Sequence, residues 1–376
     1  MSFVVNSAEL QKHLSLIGGV VPTKSVLPIL QNVLFRLSKN ELELAATDLD
    51  NAMRTSLAVE KLDDEAVDIA LPAKLLQDTL KALPEQPITF KVDPETFAVR
   101  LTTENGEYEL SGANGQDYPA LPSPEKTQKL DMPMAILSRA INKTLFAAST
   151  DELKPALNGM FFDFKTTGAT FVATDAHRLV RYRRLDITVK KDVSFILPQK
   201  ALKLIGNAAQ GSVETITLEY NQSNAFFTFG TTLLVCRLID ARFPDYENVI
   251  PKTSSSKAIL AKRDLLGSMR RLDIFSNKTT HLGRFSLSSN LLEVYSEDVD
   301  FSNRAKENLN STYDGAKMEI GFNVSLMTDL ISNVDTDEVI MELESPSRAA
   351  VVLPAEQAQG ENILMLLMPV MLSSSF

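Results

Sequence analysis

The chain has 376 residues, 44% of them hydrophobic and 23% charged, which excludes a disordered or fibrous protein and gives length for two or three domains of roughly 100–200 residues. The net charge of −10 argues against a general attraction to nucleic acid, unless charge is sorted over the surface. The single cysteine excludes an internal disulfide, and no apolar run approaches the roughly 18 residues of a membrane span.

In chain order, Met1-Ser2-Phe3-Val4-Val5-Asn6 lacks the basic flank and apolar core of a secretion signal, so a cytoplasmic protein is expected. Leu10, Leu14 and Ile17 recur at helical spacing and predict a helix over 7–17. Leu71-Pro72 ends a strand and opens a second helix, 72–82, with proline in the first turn, where its missing N–H costs nothing. Ile136, Ala140 and Ile141 mark a helix over 134–147, and Pro198 precedes another over 199–208. Glu214-Thr215-Ile216-Thr217-Leu218-Glu219-Tyr220 alternates as a strand does, and Leu233-Leu234-Val235-Cys236 reads as a strand with a buried thiol. Two further helices are predicted at 262–275 and 323–333, the latter capped by Asn323 with Ser325.

These elements repeat. The turns Tyr118-Pro119, Phe243-Pro244 and Met368-Pro369 are spaced 125 residues apart, and strings beginning at Val67, Val193 and Met318 agree at offsets of 126 and 125. Ala46-Thr47-Asp48 returns as Ala173-Thr174-Asp175, and polar linkers fall at 123–128 and 252–257. Three domains of one fold are expected, at 1–126, 127–252 and 253–376. Each is an α+β unit with two helices packed on antiparallel sheets.

Charge is sorted by element. The six predicted helices sum to +6, so the strands and loops carry −16. If the helices face one common space, their lysines and arginines attract phosphate without reading bases, as a sliding contact on duplex DNA requires; charge sorting alone is met equally by lysines that only solvate the outer faces of ordinary helices.

Catalysis finds little support. Asp175-Ala176-His177-Arg178 is the one place where a histidine stands beside an acid, but no Gly-x-Ser-x-Gly elbow accompanies it. Three scattered histidines and one cysteine do not make a zinc site, and no phosphate-binding glycine loop appears. No cofactor and no metal are expected. The recurrence of Asp48 and Asp175 at equivalent positions fits a repeated turn better than a unique active site.

Several strings resemble the bacterial DNA polymerase III beta subunit, the sliding-clamp family: Leu27-Pro28-Ile29-Leu30-Gln31-Asn32, Leu157-Asn158-Gly159-Met160-Phe161-Phe162, Ala173-Thr174-Asp175-Ala176-His177-Arg178-Leu179, Asp240-Ala241-Arg242-Phe243-Pro244-Asp245-Tyr246, Met318-Glu319-Ile320-Gly321-Phe322-Asn323-Val324 and Met368-Pro369-Val370-Met371-Leu372. The resemblance implies a processivity factor without catalytic residues, a head-to-tail homodimeric ring of pseudo-sixfold symmetry around duplex DNA. It also implies as partners the replicative polymerase, a clamp loader and other proteins carrying a clamp-binding peptide.

The same resemblance implies a peptide crevice of Leu157, Thr174, His177, Arg178, Leu179, Pro244, Val249, Pro346, Ser347, Met368, Pro369, Val370 and Met371. Apolar sockets there would accept an extended peptide, although sequence alone favours core packing for Leu157, Leu179 and Val249. The family tail carries a basic residue where Met371 stands and stops near Leu372, whereas Ser373-Ser374-Ser375-Phe376 continue here. DNA-facing cations are expected at Lys24, Lys74, Lys81, Arg139, Lys143, Lys200, Lys203, Arg263 and Arg270. The ring interface is expected to join Glu107, Tyr108 and Leu110 on an acidic edge to Ile274, Phe275, Arg304 and Lys306 beside a basic one, a polarity reversed from that common in the family.

Overall fold

The structure, a computed structural model, describes residues 1–63, 68–208 and 213–372. Val67, which opens the first repeated string, and the tail 373–376 therefore lie outside the described residues. Among the described residues there are six α-helices: α1 (Ser7–Gly18), α2 (Ala73–Ala82), α3 (Met134–Thr144), α4 (Gln199–Ala208), α5 (Lys262–Phe275) and α6 (Val324–Ser332). None is long and apolar enough to cross a membrane.

Their ends follow local chemistry. Asn6 caps α1 by accepting from the backbone N–H groups of Ala8 and Glu9, and Asn323 caps α6 by accepting from Leu326, as its sequence predicts. Pro72 sits one position before α2 as its N-cap. The helix expected over 134–147 is shorter: it ends at Thr144, where φ is −122°, and residues 145–147 tighten into a 3₁₀ turn.

Among the described residues the strands form three antiparallel sheets, of five, nine and twelve strands. Two compact units emerge, Met1–Ser138 with Lys200–Leu238, and Arg139–Gln199 with Ile239–Phe376. Each unit takes in one junction between repeats, because a sheet continues through it. In the first unit, strand Asn51–Ala58 pairs with Thr232–Arg237 within the nine-stranded sheet. In the second, Arg178–Arg184 pairs with Glu361–Leu367 within the twelve-stranded sheet.

The helices cover these sheets with one apolar face each. Leu10, Leu14 and Ile17 of α1 and Leu76 and Leu80 of α2 are buried in the first unit, over a core in which Phe3 stacks on Phe90 at 4.9 Å. Leu265, Met269 and Leu272 of α5 and Val324, Met327, Leu330 and Ile331 of α6 do the same in the second.

The Asp turn does recur, bond for bond. Asp48 Oδ1 accepts from the backbone N–H of Asp50 and Asn51, and Thr47 Oγ1 donates to the Asn51 carbonyl. Asp175 Oδ1 accepts from His177 and Arg178, and Thr174 Oγ1 donates to the Arg178 carbonyl. The residue between carries a positive φ in both, 81° at Leu49 and 79° at Ala176.

Candidate functional site

The expected crevice residues all lie in the second unit. Leu157 and Leu179, 8% and 5% exposed, pack with Val172, Ile196, Phe243 and Tyr246 from one side and Ala349, Val351 and Leu366 from the other. Phe161 stacks on Phe243 at 4.6 Å, and Tyr246 meets both rings edge-on at 6.1 and 6.4 Å. Around this floor stand exposed groups: Val249 at 51%, Met368 at 43% and Met371 at 77%, with Pro244, Pro346, Ser347 and His177 also exposed. Pro369 and Val370 are half-buried. An apolar floor with adaptable methionines on its rim is what an extended peptide with hydrophobic side chains needs.

The segment after strand Glu361–Leu367 is held by two backbone bonds. Met368 N–H donates to the His177 carbonyl and Val370 N–H to the Gly321 carbonyl, both at 2.8 Å. A Cβ on Gly321 would lie 2.5 Å from the Val370 carbonyl oxygen, so only glycine admits the tail this closely.

Arg178 is fully engaged within the fold. Its Nε donates to Asp175 at 3.1 Å, one terminal nitrogen to Asp329 of α6 at 2.6 Å, the other to the Phe146 carbonyl at 2.8 Å, and the guanidinium lies over the Phe146 ring. Thr174, 7% exposed, completes the Asp turn. Arg178 and Thr174 are thus held within the fold, whereas His177, Met368 and Met371 are exposed. Sequence reading missed Asp175, Asp329 and Phe146 as supports of Arg178, and Tyr246, Ile250 and Phe161 in the crevice floor. The Phe243-Pro244 repeat and the strings holding Phe161 and Tyr246 were the signals pointing to that floor.

Comparison with known proteins now decides the family. Three family models match in order: the N-terminal domain of the DNA polymerase III beta subunit over residues 1–122, its central domain over 131–245 and its C-terminal domain over 247–370. The chain belongs to the DNA polymerase III beta-subunit family. A beta sliding clamp of Escherichia coli is 29% identical, with 99% of this chain and all of that protein covered, and one of Proteus mirabilis is 30% identical over 90% and 92%. A solved sliding clamp from Pseudomonas aeruginosa, bound to griselimycin, superposes with a TM-score of 0.93 at 27% identity, covering 99% of this chain and all of that one. The role is that of a sliding clamp, a processivity factor in replication.

As a clamp, the chain must hold its cations where they can work. Lys24, Lys74, Lys81, Lys203, Arg263 and Arg270 are exposed, and among the described residues none of them makes an ion pair. The other three expected DNA contacts are engaged inside their units. Lys143, 8% exposed, donates to Asp335 and to the Asn333 carbonyl. Arg139 donates to Glu361 at 2.6 Å and Asp335 at 2.8 Å. Lys200 donates to Asp48 at 2.6 Å and the Val20 carbonyl at 3.1 Å. A lysine neutralised by a carboxylate at this range adds little to the field that a phosphate meets.

Two of this clamp's open strand edges carry the residues expected at the ring interface. Strand Glu107–Ser111 ends the five-stranded sheet, with Glu107 and Tyr108 exposed and Leu110 buried in its own unit. In strand Asn303–Tyr313, residues 303–310 pair with Leu291–Asp298 on one side, while only Ser311, Thr312 and Tyr313 pair on the other. Arg304 and Lys306 stand exposed on that edge, Lys306 at 2.6 Å from Glu293. Arg271 forks onto Glu307 with two bonds of 2.7 Å, which ties the end of α5, and with it the exposed Ile274 and Phe275, to the same edge.

Proposed function

We propose that two copies of this chain close head to tail into a ring, with strand Glu107–Ser111 of one subunit pairing along residues 303–310 of the next. The observation carrying this is the pair of open edges of opposite charge, Glu107 on one and Arg304 on the other, each flanked by exposed apolar groups, Tyr108 and Ile274 with Phe275. An unpaired edge of this length is a template for another strand unless something covers it. The three domains are read as 1–126, 127–252 and 253–376, and the acidic-to-basic polarity excludes subunits with the reverse pattern.

Repeat equivalence adds a contact. Lys74 stands in the second helix of the first repeat as Lys200 does in the second repeat, and Lys200 bonds the Asp48 turn of the preceding repeat. Continued around the ring, Lys74 meets the turn at 298–302 of the neighbouring subunit. The cations left to face duplex DNA are then Lys24, Lys81, Lys203, Arg263 and Arg270, binding phosphate by counterion release without sequence preference.

The crevice receives peptides from the replicative polymerase, the clamp loader and other clamp-binding proteins, one at a time. The protein works in the cytoplasm, without a cofactor. We read it as an accessory subunit without catalysis of its own, since the Asp175 carboxylate beside His177 is engaged by two backbone N–H groups and Arg178.

Native mass and particle images test the ring. A dimer with a central hole is expected. Glu107→Lys should loosen it about fivefold, at roughly 1 kcal/mol per exposed ion pair, and Arg304→Glu on the same chain should restore it. A monomer, or a dimer indifferent to both changes, would overturn the proposal.

A further inference from the structure

Beside the crevice floor lies a cluster of charge that the apolar site does not use. Leu179, Arg181 and Arg183 alternate along strand Arg178–Arg184 and therefore share one face of the sheet, the face on which Leu179 meets Tyr246. Asp163 and Lys165 join them from strand Gly159–Lys165, and Glu247 from the 3₁₀ turn Tyr246–Val249. The Tyr246 hydroxyl donates to Asp163 at 3.5 Å and so links floor and cluster.

The cations outnumber the carboxylates. Lys165 lies 3.0 Å from Asp163, while Arg183 and Arg181 share Glu247 at 3.1 and 3.4 Å. Arg181, 11% exposed, otherwise donates to the neutral Asn362, and its buried Nε has no acceptor among the described residues. Burial lowers the pKa of Arg181, and the adjacent Arg183 lowers it further, against the pull of Glu247. One more negative charge is therefore favourable here. A ligand need not enter the fold to supply it, because Arg183 and Lys165 are 37% and 52% exposed. Arg183 Nε donates to Thr170 and one terminal nitrogen to Glu247, which leaves the other terminal nitrogen without a bond among the described residues.

The position decides what brings the charge. Arg183 stands four residues beyond Leu179 on the same strand, roughly 13 Å away, which is about the reach of four extended residues. A peptide seated in the crevice carries a side chain to Arg183 at that distance. A nucleic-acid strand fits less well, because its successive phosphates would meet Asp163 and Glu247 in the same place.

We propose that Arg183 and Lys165 form an acid-binding extension of the crevice, which receives an aspartate or glutamate of the partner peptide about four residues from its apolar anchor. The inference rests on the crevice taking an extended peptide, and the test separates the two.

The test measures fluorescence anisotropy with the full chain and three labelled forms of the polymerase peptide. One carries two asparagines, four and five residues from the apolar anchors, at each end; in the other two the asparagines at one end become aspartates. One acidic form should bind about fivefold more tightly than the neutral form at low salt, on the scale of an exposed ion pair, although the net charge of −10 repels it. Arg183→Gln should bind all three forms alike. Lys165→Gln should lose part of the gain, and Glu247→Gln, which frees both arginines, should enlarge it. No gain from either aspartate pair, or a gain that survives both Arg183→Gln and Lys165→Gln, would overturn the inference and leave the crevice reading standing. No binding of any form would overturn both. Displacement of the acidic form, but not the neutral one, by a short oligothymidylate would assign the two cations to phosphate and overturn the inference.

Discussion

Cys236 and His13 show what burial does to single groups. The Cys236 thiol is wholly buried, which pushes it up to about 12 and keeps it protonated at any physiological pH. Native protein should react with a thiol reagent only as fast as it unfolds, and stoichiometric labelling of folded protein would contradict this. Burial lowers the pKa of His13 below its ordinary 6.5, more than Glu9 raises it, with its Nδ1 2.9 Å from Thr55 Oγ1. The folded state thus favours the neutral ring, and the unfolded chain binds the proton more readily. Stability from this group is present above about pH 6.5 and is lost as pH falls below it. Urea midpoints should fall between pH 7 and 5, and His13→Gln should flatten part of that slope. Residue identity was legible here, since a thiol in an apolar run reads as buried. The fate of each lysine was not. Lys81 and Lys143 look alike in a helix, and only the fold shows that Lys143 is enclosed by Asp335 and the Asn333 carbonyl while Lys81 is exposed.

Among the elements, the Asp turn is the most informative, because two copies check each other. Asp48→Ala and Asp175→Ala should each cost about 1–2 kcal/mol, since each leaves two backbone N–H groups without their acceptor. Leu49→Gly and Ala176→Gly should each stabilise by about 0.5–1 kcal/mol by relieving a positive φ. Equilibrium unfolding measures all four, and a destabilised glycine variant would show that these turns are not strained. The turn was readable as Ala-Thr-Asp returning at an offset of 127 residues, and the helix starts were readable from Pro198 and Asn323. The end of α3 was not, because the apolar Leu145, Phe146 and Ala147 continue the pattern while the backbone tightens. The crevice floor was only partly visible, since Phe161, Tyr246 and Leu366 are far apart in sequence and meet through the pairing of Arg178–Arg184 with Glu361–Leu367. Arg178→Ala should lower stability by about 1–3 kcal/mol and weaken peptide binding, as Asp329 and the Phe146 carbonyl lose their shared partner. Titration with a fluorescent peptide from the polymerase measures the second effect, and unchanged affinity would make Arg178 a purely structural residue.

At the scale of the whole molecule, three repeats, two sheets that run through repeat junctions and two open edges form one pattern. The third junction is missing from a single chain, and in the proposed ring a second copy supplies it. Net charge alone misleads here, because a chain of −10 carries helices that sum to +6. A clamp bound by topology must differ from a protein bound by affinity in one respect: its hold depends on whether the DNA has ends. The direct measurement loads the protein onto a nicked circular plasmid with its loader, isolates the complex by gel filtration at moderate salt, and then cuts the circle once. The account predicts that the protein stays on the circle and is released by the cut. Equal retention on circular and linear DNA would contradict it.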